Sequence, residues 1–136
     1  MMKGSCLCGA IEISAPAIDS VSVCHCSMCR RWGGGPLFTV HYGPGVSLGI
    51  QGQPAVYRSS EWAERAFCPA CGTHLYYRLI STNEYALPAG IFPDAARLAL
   101  TSQIFIDEKP AYYELANQTE TLTGAEVFAR YSDVLS

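Results

Sequence analysis

The sequence predicts a mainly β fold of packed antiparallel sheets with a short C-terminal helix. Three observations carry that expectation. Short stretches rich in β-branched and aromatic residues recur along the chain, Gly and Pro clusters punctuate them, and the clearest helix-start chemistry lies near the end.

The strand-like stretches run Ala10 to Ser14, Ser20 to Cys24, Leu37 to Tyr42, Ala55 to Arg58, Arg65 to Phe67, Thr73 to Leu79, Glu84 to Leu87 and Gln103 to Ile106. In Val21-Ser22-Val23 and in Leu75-Tyr76-Tyr77-Arg78-Leu79 the mix of β-branched and aromatic residues suits half-buried strands. Between the stretches, Gly33-Gly34-Gly35-Pro36, Gly43-Pro44-Gly45, Gly52-Gln53-Pro54 and Phe92-Pro93-Asp94 are poor interiors for helix or strand and read as turns. A short turn of helix is expected at Ser27 to Arg31. At the C-terminal end, Thr123 precedes Glu126 at capping-box spacing, and Val127, Phe128 and Tyr131 share one helical face.

One domain spanning residues 1–136 is expected, since the length matches the usual size of about 100 to 150 residues and no repeat, low-complexity tract or linker divides it. With 49% apolar and 15% charged residues the chain has the composition of a packed interior rather than of a disordered segment. The formal charge of -3 argues against nucleic acid as a partner, because phosphate binding needs clustered cations and Arg30-Arg31 is no patch. Every hydrophobic run stops well short of the roughly 20 apolar residues that span a bilayer, so no membrane partner is expected. Met1-Met2-Lys3-Gly4-Ser5-Cys6 enters a cysteine motif without the apolar run of a secretory signal, which makes the cytoplasm the expected location. Seven cysteines in a reducing compartment are better explained by metal than by disulfides, and a four-plus-three division over two ions uses all of them.

Cys6-Leu7-Cys8-Gly9 is a weak signal alone; in an extended segment its two thiols would face the same side. Its complement is the knuckle Cys68-Pro69-Ala70-Cys71-Gly72, where a tight turn gathers two sulfurs and Gly72 can take a left-handed backbone. Together Cys6, Cys8, Cys68 and Cys71 offer a closed tetrahedral shell for a structural Zn2+ at about 2.3 Å per bond. Such an ion would staple the amino-terminal strand to the hairpin entered at Phe67. It would contribute on the order of 10 kcal/mol to folding.

Cys24-His25-Cys26-Ser27-Met28-Cys29-Arg30-Arg31 superposes a Cys-X-Cys on a Cys-X-X-Cys and aims three thiols at one point. Three protein ligands leave a fourth position open, which is the feature that separates catalytic from structural zinc. A zinc ion carrying three thiolates is a modest Lewis acid and a good host for one more soft ligand, such as a substrate thiolate. Cys24, Cys26 and Cys29 are therefore the candidate catalytic set. Arg30 and Arg31 either offset the anionic charge of that centre or pair with a substrate carboxylate, and one of them can equally be a solvated surface residue. His25, between two proposed ligands, suits a polar contact or proton relay better than ligation, with a purely structural role equally open. His41 and His74 read as ordinary hydrogen-bonded strand histidines. Gly33-Gly34-Gly35 lacks the Lys-Ser or Lys-Thr of a phosphate loop and reads as a flexible loop beside the metal. Trp32, Trp62, Tyr76 and Tyr77 either line a pocket or, more commonly for a β-rich domain, fill the core.

At these residues the chain resembles the glutathione-dependent formaldehyde-activating family, which shares its domain with centromere protein V and is similar in fold to Mss4-like proteins. The resemblance runs through Gly4-Ser5-Cys6-Leu7-Cys8-Gly9, Cys24-His25-Cys26-Ser27-Met28-Cys29-Arg30-Arg31 and Phe67-Cys68-Pro69-Ala70-Cys71-Gly72-Thr73, with weaker echoes at Ala89-Gly90 and Gln103-Ile104-Phe105. It implies a β-tent of two packed sheets, a four-cysteine structural zinc and a second zinc on the central three cysteines. It also implies carbon-sulfur chemistry between a small thiol, glutathione, and an aldehyde, formaldehyde, classed in reverse as a lyase. Two other roles compete: a zinc-stabilised binding module whose second site is closed by His25 or a neighbouring chain, and metal-free thiol redox at Cys26 and Cys29.

Overall fold

Alternation sets the core. Val21 and Val23 are buried while their neighbours along the strand are not, and Ile13 and Ala15 repeat the pattern one hairpin earlier. Each such valine or isoleucine, once fully buried, contributes about 1.5 to 3 kcal/mol of hydrophobic free energy.

The computed structural model describes residues 1–93 and 97–131, so Asp94 of the expected Phe92-Pro93-Asp94 turn lies outside the described residues. In chain order the elements are β1 (Met2–Ser5), β2 (Glu12–Ala15), β3 (Ser20–Cys24), α1 (Ser27–Gly33), β4 (Leu37–Tyr42), β5 (Gly49–Gln51), β6 (Ala55–Arg58), β7 (Ala63–Phe67), β8 (His74–Leu79), β9 (Glu84–Pro88), β10 (Ala99–Ile104), β11 (Glu120–Leu122) and α2 (Gly124–Arg130). They form two sheets: a three-stranded one ordered β1-β2-β5 and an eight-stranded one ordered β11-β10-β3-β4-β9-β8-β7-β6. Ile11, Ile13 and Ala15 at the small sheet share one apolar cluster with Val21, Val40, Tyr42, Leu75 and Leu87 of the large one, so the two sheets pack face to face. This is the mainly β, two-sheet architecture expected from the sequence, with its short C-terminal helix. No helix among the described residues is long and apolar enough to cross a membrane.

The large sheet is mixed rather than wholly antiparallel. β10 runs parallel to β3 on one side and to β11 on the other. The antiparallel expectation suits strands joined by hairpins, such as β7, β8 and β9. β10, however, pairs with a strand far back in the chain and reaches it by a long crossover, where parallel pairing is allowed. The consequence is local to the site: the parallel register sets Gln103 beside Val23 and Ile104 beside Cys24.

β1, β5 and β11 were not expected as strands. They are short, and β1 and β5 contain glycine, so their pairing comes from the neighbour each lies against rather than from local preference. α2 starts as its sequence requires. Thr123 Oγ1 accepts from the Glu126 N–H at 3.2 Å and Glu126 Oε1 accepts from the Thr123 N–H at 3.0 Å, closing the capping box.

Candidate metal centre

Two sulfur clusters form. The first joins Cys6, Cys8, Cys68 and Cys71, whose Sγ atoms all lie within 4.8 Å of one another. Cys6 Sγ is 3.6 Å from Cys8 Sγ, and Cys8 Sγ is 3.8 Å from Cys68 Sγ. Four sulfurs placed tetrahedrally around zinc at about 2.3 Å stand about 3.8 Å apart, so this donor set fits the ion. Two similar loops supply it. In the knuckle, the Gly72 N–H donates to the Cys68 carbonyl at 2.8 Å, Gly72 takes φ +80°, and the Cys71 N–H points at Cys68 Sγ at 3.5 Å. After β1, the Gly9 N–H donates to the Cys6 carbonyl at 3.1 Å and the Ile11 N–H points at Cys6 Sγ at 3.3 Å. Cys6 and Cys8 therefore converge through a turn and not through the extended strand expected for them. The Leu7 N–H donates to Thr73 Oγ1 at 3.0 Å and ties the loops together. Thr73 also hydrogen-bonds Cys71, which holds that thiol down to about 5.

The second cluster is Cys24, Cys26 and Cys29, again with all Sγ atoms within 4.8 Å. Cys24 ends β3, Cys26 caps α1 by accepting from the Cys29 N–H at 3.3 Å, and Cys29 lies buried on that helix. A helix of one to two turns thus folds the segment back so that its third thiol meets the first two. Hydrogen bonding from Cys24 and Cys29, with the charge of Arg65 behind it, holds the Cys26 thiol well below its usual range. The same sharing with Cys26 pushes Cys24 up. Three thiols that cannot all ionise alone suit a divalent cation that takes the place of their protons. Among the described residues no fourth His, Cys, Asp or Glu joins the trio.

His25 is fully buried, and its ring nitrogens do not join the sulfur cluster. Its Nε2 lies 2.8 Å from Gln103 Oε1 and its Nδ1 lies 2.8 Å from the Tyr113 hydroxyl. Gln103 Nε2 donates to Thr119 Oγ1 at 3.1 Å, so Gln103 Oε1 is the end left to accept. That assigns the hydrogen to His25 Nε2 and makes Nδ1 the acceptor from Tyr113. The His25 main chain is held as well, its N–H by Ile104 and its carbonyl by Arg30 Nε at 2.9 Å. With both ring nitrogens engaged, His25 braces the cysteine segment and does not close the trio.

The cation facing the trio is Arg65, which the sequence reading did not single out. Its Nη1 and Nη2 lie 3.7 and 3.6 Å from Cys29 Sγ. Arg30 is instead committed to the His25 carbonyl, and Arg31 is exposed. On β7, Arg65 shares a face with Ala63, opposite Glu64 and Ala66, but Ala66 is buried as well, so alternation alone does not single Arg65 out. Arg65 pairs in register with Tyr77, and Tyr77 with Ala86, so the three side chains share the sheet face beneath α1. There Arg65, Leu37, Tyr77, His74 and Trp32 line a narrow cleft with room for about one water, about 10 Å³. It adjoins an open groove of about 370 Å³ walled by Trp32, Tyr57, Phe67, Gly72 and His74. Trp32, one helical turn beyond Cys29, stacks on His74 with ring centres 4.6 Å apart. His74 is thus a stacked wall residue rather than a hydrogen-bonded strand histidine. His41 is largely exposed, with Nε2 3.7 Å from a Glu84 oxygen. Trp32, Tyr76 and Tyr77 all line the cleft, whereas Trp62 packs edge-on against Phe128 at 6.4 Å. Gly34 ends α1, so part of the Gly33-Gly34-Gly35 run is a helix cap.

Residues 1–108 match the family described as glutathione-dependent formaldehyde-activating enzyme. An uncharacterised lyase of Schizosaccharomyces pombe is 35% identical over 127 residues, covering 92% of this chain and 93% of the relative. The crystal structure of a Rhodobacter sphaeroides protein superposes with a TM-score of 0.58 at 26% identity, covering 74% of this chain and 100% of that one. With that match carrying all seven cysteines within its span, the chain belongs to the glutathione-dependent formaldehyde-activating family.

Proposed function

We propose that the chain is a single zinc-binding domain, residues 1–136, acting in the cytoplasm as a carbon-sulfur lyase of the S-(hydroxymethyl)glutathione synthase type. It joins a small, glutathione-like thiol to an aldehyde such as formaldehyde. One carbon-sulfur bond forms, and the hydrogen of the thiol ends on the former aldehyde oxygen. The observation that carries this reading is the gathering of Cys24, Cys26 and Cys29 at ligand distance with no fourth ligand among the described residues.

Cys6, Cys8, Cys68 and Cys71 hold a structural zinc in this reading, and Cys24, Cys26 and Cys29 hold a catalytic one. Bound to the trio, zinc supplies an open coordination position and a positive charge that favours a guest sulfur as thiolate. The chain's own residues do the rest. α1 fixes Cys26 and Cys29 on one turn. Gln103 and Tyr113 lock the ring of His25 and so the strand end that carries Cys24. The walls formed by Trp32, Tyr57 and Phe67 exclude water from one side of the groove and offer apolar surface to the substrate. The test is metal content measured together with activity. Protein carrying two zinc ions per chain should speed thiol-aldehyde adduct formation above the uncatalysed rate, and Cys26→Ser should abolish that excess. An unchanged rate in Cys26→Ser would remove the trio from catalysis.

A further inference from the structure

Arg65 is 4% exposed, and a guanidinium that deep needs a counter-charge. Among the described residues no carboxylate forms an ion pair with it. Its two terminal nitrogens point instead at Cys29 Sγ, at 3.7 and 3.6 Å, and its guanidinium carbon sits 5.2 Å above the centre of the Tyr77 ring. The Tyr77 face and the sulfur together fix the fork in place. The other sulfur cluster is built differently. Its hydrogen-bond donors are main-chain N–H groups and Thr73, and among the described residues no Lys or Arg donates to Cys6, Cys8, Cys68 or Cys71. The cation is therefore a feature of the trio and not a general requirement for holding sulfur in this fold.

We propose that Arg65 is a positioning residue that makes the three-cysteine site accept an anionic sulfur, a role that rests on the function proposed above. A divalent ion with three thiolates carries one net negative charge, and a fourth thiolate would bring it to two. A permanently charged guanidinium against Cys29 offsets one of these, because arginine does not deprotonate in proteins. Arg65 also lines the narrow cleft together with Trp32 and His74, which border the open groove as well. The site is thereby selective for thiolates over neutral donors.

The test uses protein with zinc at the four-cysteine site and cobalt(II) at the trio as a coloured reporter. Glutathione, an anionic sulfur donor when bound, and imidazole, a neutral donor, are titrated into the wild-type, Arg65→Met and Arg65→Lys proteins. Arg65→Met should bind glutathione about tenfold or more weakly while imidazole stays within about twofold, and Arg65→Lys should recover part of the loss. If both ligands weaken equally, or neither does, the role is wrong even though thiol binding by the wild type leaves the proposed function standing. If the wild type binds imidazole but no thiol, the function itself fails and this role with it. Retained zinc and a cooperative melt report that a variant is folded. Should Arg65→Met not fold, Arg65→Gln against Arg65→Lys makes the same comparison of charge at similar bulk.

Discussion

Cys8 Sγ lies 3.8 Å from Cys68 Sγ across 60 residues of chain. That contact joins the loop after β1 to the knuckle between β7 and β8, and so links the edge of the small sheet to the large one. An ion held there would tie together two segments far apart in the chain, which places the first cluster among the determinants of stability.

Cys68→Ser should therefore lower the unfolding free energy by several kcal/mol, since structural zinc contributes on the order of 10 kcal/mol in comparable sites. Urea denaturation with and without a chelator measures it. The wild type should be destabilised by chelation and the variant far less so, whereas equal chelator sensitivity would contradict a stapling ion.

Cys24→Ser should act on chemistry more than on folding. Zinc per chain should fall from two to one, adduct formation should drop to background, and the melting temperature should move by only about a few degrees. Elemental analysis beside a thermal melt separates the two effects, and collapse of the fold would show the second cluster to be structural.

Gln103→Leu removes the acceptor facing His25 Nε2 and leaves a buried N–H without a partner, at a cost of about 1 to 3 kcal/mol. Tyr113→Phe removes only the hydroxyl on Nδ1 and should cost about 1 kcal/mol. Both should weaken metal retention at the trio while sparing the four-cysteine cluster, as read by stepwise zinc release. Release of both ions together would mean that the histidine braces the whole fold.

The metal ligands were legible because cysteine spacing is a local property: the knuckle and the tripled motif announce themselves within a few residues. Ser20–Cys24, Leu37–Tyr42 and Ala55–Arg58 were legible for the same reason, with β-branched and aromatic residues bounded by turns. Thr123 and Glu126 likewise wrote out their own helix start. What pairing across the chain decides was not legible. The parallel alignment of β10 with β3 brings Gln103 to His25, and nothing near Gln103 in sequence signals it. Arg65 stands between these cases. Its place on a strand was readable, but both faces of β7 carry buried residues and its partner Cys29 lies 36 residues away.

Gly52→Ala tests the packing of the small sheet against the turn that precedes β6. Gly52 takes φ +100°, and a Cβ there would come 2.6 Å from the Ala10 carbonyl oxygen and 2.9 Å from an Ile11 side-chain carbon. Backbone strain and overlap together should cost about 2 kcal/mol or more. A variant as stable as the wild type in urea would show that this turn shifts without penalty.

Zinc K-edge absorption, recorded on fully loaded protein before and after glutathione is added, tests the central claim most directly. Seven protein sulfurs shared between two ions should become eight, the added one coming from the thiol at an ordinary zinc-sulfur distance of about 2.3 Å. A spectrum that already shows four protein ligands on each ion, and that glutathione does not alter, would contradict an open site on Cys24, Cys26 and Cys29.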